Sequence, residues 1–63
     1  MIMAFSLLSM VVYVGNGLVP KGTRGVVVHV YRDGRGYEIE FEGFPNAVFT
    51  VPADEVEADD NPG

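Results

Sequence analysis

The stretch from Lys21 to Phe41, KGTRGVVVHVYRDGRGYEIEF, constrains the fold more than any other part of the chain. Its first half, Val26-Val27-Val28-His29-Val30-Tyr31, is built almost wholly from β-branched and aromatic residues, which suit a pleated, half-buried surface. Its second half alternates: Tyr37, Ile39 and Phe41 fall on one side and Glu38 and Glu40 on the other, the period-2 pattern of a strand with one wet face. Between them, Arg32-Asp33-Gly34-Arg35-Gly36 supplies glycines where a tight turn needs positive φ. The stretch reads as one β-hairpin.

Parity then predicts a register, because directly opposed residues in an antiparallel pair point to the same face. A loop from Arg32 to Arg35 sets Val30 against Tyr37, Val28 against Ile39 and Val26 against Phe41, all facing inward. The outer face then carries Val27, His29 and Tyr31 beside Glu38 and Glu40.

The remaining segments fit around this hairpin. Residues 1–14 carry no charge, but they lack the basic start and small-residue cleavage site of a secretory signal. They are also shorter than the roughly 20 residues a membrane span requires. The expectation is a lead-in over residues 1–8, starting at Met1 or Met3, in which Phe5, Leu7 and Leu8 close one end of the core. A first strand follows near Ser9 to Val14. Gly15 to Gly22, GNGLVPKG, is a loop by its Asn-Gly, Gly and Pro content. After Phe41, a second turn at Glu42 to Asn46 leads into a fourth strand, Ala47 to Val51, with Phe49 and Val51 inward; Tyr13 is left without a core assignment. Pro52 to Glu55 suits a single 3-10 turn, and Val56 anchors a short closing strand. Residues 58–63 hold acidic residues with Pro and Gly and nothing to bury, so they read as a mobile tail.

Taken together, five short antiparallel strands, a long first loop and a 3-10 turn before the last strand predict an all-β, small, partly open barrel, one domain over residues 1–57. A chain of 63 residues buries only roughly 60% of its unfolded surface. No cysteine is present and His29 is the single histidine, so neither a disulfide nor a Cys/His zinc set is available. Extra stability is then expected from packing, a homo-oligomer or a partner. The lack of cysteine fits a cytoplasmic setting.

The formal net charge is −5. An acidic chain starts at a disadvantage with phosphate backbones, which are bound through Lys and Arg. A nucleic-acid-binding barrel would have to rely on Lys21, Arg24, Arg32 and Arg35, and is the least favoured reading. Basic protein partners are the better match.

Leu7-Leu8 before a strand, Lys21-Gly22-Thr23-Arg24-Gly25-Val26-Val27, Tyr37-Glu38-Ile39-Glu40-Phe41 and Val51-x-x-Asp54-Glu55-Val56 together resemble a short bacterial SH3-like barrel family known only as a domain of unknown function. The likeness covers Leu7 to Glu57. It implies single-domain proteins encoded beside toxin-like genes, an antitoxin or immunity-type role, and no catalytic residues or cofactor. The same pattern is similar to SH3-like accessory subunits of larger enzymes, including the stromal photosystem I subunit, the ferredoxin-thioredoxin reductase variable chain and the nitrile hydratase β-subunit barrel. The chain lacks the basic surface of KOW-type RNA-binding modules.

Few residues invite chemistry. His29 opposite Glu38 reads as a cross-strand polar pair worth roughly 0.2–1 kcal/mol, with no nucleophile in the pattern to make it a catalytic dyad. Glu38, Glu40 and Glu42 line one strand face, and the acidic residues after Asp54 show no EF-hand spacing. Arg32 and Arg35 flank a turn and have the chemistry to clamp a carboxylate or phosphate. The expectation is a non-catalytic protein-interaction module without metal or cofactor. Its partner-binding face is Val27, His29, Tyr31, Glu38 and Glu40, with Phe44 at the rim, and its partner is a basic, toxin-like protein. An accessory subunit of a larger enzyme is the alternative.

Overall fold

Five segments rich in valine and aromatic residues form the strands: β1 (Met10–Tyr13), β2 (Arg24–Val30), β3 (Gly36–Phe41), β4 (Phe49–Pro52) and β5 (Val56–Ala58). These come from a computed structural model that describes residues 5–59. Pro52, at φ −59°, leads into one 3-10 turn, Ala53–Glu55. All ladders are antiparallel and join the strands into a single sheet in the order β4-β3-β2-β1-β5. The edges β4 and β5 are connected by the 3-10 turn, and among the described residues no ladder closes them. The radius of gyration, 10.7 Å, is close to the roughly 10 Å of a fully packed globule of this length, so the sheet curls around one core. This is the small, partly open, SH3-like barrel that the strand pattern predicts.

The core is Val11, Tyr13, Val19, Val27, Tyr37, Ile39, Phe41, Val51 and Val56. The β3 alternation is realised as read, and Val30 does oppose Tyr37, as His29 opposes Glu38. Beyond that point the register shifts: Val27 faces Ile39, Val26 faces Glu40 and Gly25 faces Phe41. Val28 is the extra residue of a β-bulge, which inverts the parity of everything before it. Val27, expected on the outer face, is therefore fully buried, while Val26 is only half-buried and Val28 is 37% exposed. The shift also brings Gly25 under the core aromatics. A Cβ there would lie 2.6 Å from Ile39 Cγ2 and 2.8 Å from Phe41 Cδ1, so glycine alone fits.

Other departures follow from local bonding. Phe5 packs on the core, its ring edge-on to Tyr37 at 5.7 Å. Leu7 and Leu8 do not join it; they are 60% and 75% exposed. Leu8 sits at φ 67° in a turn closed by the Ser9 amide on Ser6 O (3.1 Å), and this reversal leaves both leucines outside. Tyr13 is fully buried, edge-on to Phe41 at 5.8 Å. Val19 brings the first loop into the core, and the loop is held at its base by Gly22 N to Tyr13 O (2.8 Å). The fourth strand starts two residues later than expected, and Phe49 is half-buried against Phe41 and Phe44.

Ala58 and Asp59, read as the start of a free tail, belong to the barrel. Ala58 pairs with Val11, the Asp59 amide donates to Met10 O (3.1 Å), and the Asp59 carboxylate meets Arg24. Residues 60–63, like the proposed starts at Met1 and Met3, lie outside the described residues.

Candidate interaction surface

The registers align the outward side chains in rows across the sheet. Met10, Val26 and Glu40 oppose one another across β1, β2 and β3. His29, Glu38 and Thr50 do so across β2, β3 and β4. A third row runs from Glu57 through Val12 to Arg24. Directly opposed residues share a face, and so do residues two apart on a strand, so all three rows lie on the outside of the barrel.

Of the residues expected to form a partner-binding face, His29, Tyr31 and Glu38 come together. The Tyr31 hydroxyl donates to Glu38 Oε2 (2.5 Å), and the His29 ring stands edge-on to the Tyr31 ring at 4.9 Å. The hydrogen bond to Glu38 holds the Tyr31 phenol above its ordinary pKa, because the bond exists only while the phenol keeps its proton. Desolvation and the Glu38 charge act in the same direction, and a hydrogen bond from Thr50 opposes them.

Glu40 is exposed on the same face, one row away. Two expected members do not belong. Val27 lies in the core on account of the bulge. Phe44 is half-buried against Phe49, which opposes Ile39 on the inner side of the sheet, so it closes the core rather than rimming the outer face.

The structure adds Val26, which parity without the bulge turns inward, and Met10, to which the sequence pattern gives no face. Met10, 49% exposed, and Val26 form the apolar floor of an open groove of about 570 Å³, bordered by Glu40, Glu42 and Pro45. The cation within the three rows, Arg24, is turned to Asp59, with Nε 3.2 Å from Oδ2 and the Asp59 side chain only 9% exposed. The groove is thus apolar below and acidic at its wall. Its signal in the sequence was the run Val26-Val27-Val28, where one extra residue decides which valine turns outward.

Among the described residues no three His, Asp or Glu side chains converge in a way that would hold a metal ion. No described helix is long and apolar enough to cross a membrane. Of the four basic residues, Lys21 is in the first loop, Arg24 is engaged by Asp59, and Arg32 and Arg35 sit together in the β2–β3 turn. Compared with models of protein families, with curated proteins and with solved structures, the chain has no match.

Proposed function

We propose that the chain is a non-catalytic protein-interaction module whose acidic outer face receives a basic, partly apolar site on a cognate protein. The observation that carries this reading is the row Met10-Val26-Glu40 with Glu42 beside it, which joins apolar surface to two carboxylates that have no ion-pair partner among the described residues. Exposed apolar side chains rimmed by polar residues are the usual make-up of a docking surface. The carboxylates set orientation and encounter rate while the apolar floor provides contact energy. A dedicated inhibitor of the antitoxin or immunity type is the form of this reading in which the covered site is the partner's working surface.

The test is a paired capture from host extract with the tagged wild-type chain and a Glu40→Lys/Glu42→Lys variant, eluted in steps of rising salt. A basic protein retained in stoichiometric amount by the wild type and released by the variant supports the reading. Equal retention by both chains, or retention of nucleic acid alone, overturns it.

A further inference from the structure

The same outer face ends in a second groove of opposite character. Beyond the His29-Glu38-Thr50 row, the next outward pair across β3 and β4 is Gly36 opposite Pro52. Gly36 is buried, and a Cβ there would lie 3.0 Å from Val51 O, so glycine lets β3 and β4 approach closely at this end. Beside the pair a groove of about 550 Å³ is lined by Tyr31, Thr50 and Pro52, with Arg32 and Arg35 on its border. It shares no lining residue with the acidic groove and does not depend on the reading given for it.

Its lining joins apolar Tyr31, Val51 and Pro52 to two arginines and one carboxylate, Asp33. The Tyr31 hydroxyl is held by Glu38, and Tyr31 and Pro52 both line the groove, giving it an aromatic and a ring-shaped aliphatic surface. Half of the chain's four basic residues stand at this one site. Among the described residues Arg32 has no hydrogen-bond or ion-pair partner. Arg35 meets Asp33 only loosely, at 3.7 Å with its side chain 88% exposed, an ion pair that water screens heavily. Asp33 within the lining accepts the Arg35 amide at Oδ1 (2.9 Å), and Glu38 beyond it accepts the Tyr31 hydroxyl, so both carboxylates have partners of their own.

The turn that carries the arginines is also fixed. Gly34 N donates to Tyr31 O (3.0 Å), Tyr31 N to Gly36 O (3.2 Å) and Ala53 N to Arg35 O (2.8 Å), so the turn is tied both to itself and to the start of the 3-10 turn. A bound chain therefore pays little to order it.

We propose that this groove binds an extended acidic segment of a partner protein, an apolar side chain seated between Tyr31 and Pro52 and a flanking carboxylate held by Arg32 and Arg35. Guanidinium groups pair with carboxylates through directed, charge-assisted hydrogen bonds, and flat apolar walls favour an extended chain that presents alternate side chains to one face.

The experiment is a titration of the isotope-labelled full chain, followed by amide chemical shifts, with a short capped peptide that alternates aspartate and leucine. The same peptide with lysine for aspartate, and inorganic phosphate, serve as the other probes. The expected result is saturable shifts at Gly34, Gly36 and Thr50 with the aspartate peptide alone. Affinity should fall at least roughly tenfold in an Arg32→Glu/Arg35→Glu variant whose core amide shifts are unchanged. Three results would each overturn the proposal: no saturable shift up to about 1 mM peptide, equal affinity of the double variant, or an equal response to the lysine peptide. Saturation of the same amides by phosphate alone would also overturn it, by showing an anion site with no peptide component.

Discussion

Tyr31 donates its phenolic hydrogen to Glu38 Oε2 at 2.5 Å, and in doing so separates the acidic end of the outer face from the arginine-bordered end. The bond raises the Tyr31 pKa above its ordinary value of 10.0. A group whose folded pKa is raised contributes stability that is fully present below the unfolded pKa and is lost as pH climbs through the folded value. The contribution should hold from neutrality to about pH 10 and vanish above it. Urea midpoints of wild type and Tyr31→Phe, compared across that range, should differ by a small amount at neutral pH and converge in alkali. A gap that stays constant with pH would show that the pair is not coupled to protonation.

The bulge at Val28 makes the two neighbouring valines unequal. Val27→Ala removes packing from a fully buried site and should cost about 1–3 kcal/mol. Val28→Thr, at a site 37% exposed, should stay within about 0.5 kcal/mol. Chemical denaturation of the two variants decides between this register and an unbroken alternation, which predicts the reverse order.

Gly25 lies beneath Ile39 and Phe41 with no room for a methyl group. Gly25→Ala should therefore destabilise the barrel by roughly 1–3 kcal/mol through overpacking. The same change at an open glycine such as Gly17, where a Cβ meets nothing within 4 Å but φ is +103°, tests conformational strain instead. Thermal melts that rank Gly25→Ala as harmless would remove the close approach from the account.

The Tyr13 hydroxyl accepts the Leu18 amide (3.3 Å) and donates to Glu55 Oε1 (3.2 Å), joining the first loop to the 3-10 turn. Tyr13→Phe keeps the ring packing and loses both bonds, a change of about 1 kcal/mol. Amide hydrogen exchange at Leu18 should accelerate while exchange at Ile39 follows only the global change in stability. Unaltered exchange at Leu18 would mean the loop is held by Val19 burial and its base bonds alone.

Local signals made most of the architecture legible. Glu38 and Glu40 between Tyr37, Ile39 and Phe41 announce a strand and its orientation, and Pro52 before Ala-Asp-Glu announces the 3-10 turn, because both depend on residues within a few positions. The bulge was not legible, since Val26 to Val30 offers β-branched residues on both parities and pattern alone favours neither valine. Tyr13 was equally hidden: its burial depends on Glu55 and Leu18 to satisfy the hydroxyl, and one of these partners is 42 positions away. For the outer face, His29, Tyr31 and Glu38 could be placed together from the turn outward. Glu42 was legible as well, as the continuation of the Glu38-Glu40 alternation, whereas Met10 and Val26 were not, because the register shift in β2 decides their row.

The β1–β5 ladder pairs Tyr13 with Val56 and Val11 with Ala58, so almost the whole described chain separates the two strands that complete the sheet. During synthesis β1 through β4 emerge first, and the inner face of β1 has no neighbour on its outer edge until residues 56–59 follow. Arg24, already placed in β2, then receives Asp59 at the end of that last strand. Completion of the sheet thus waits on β5, and the slow step in folding is expected to be the long-range pairing of β5 with β1.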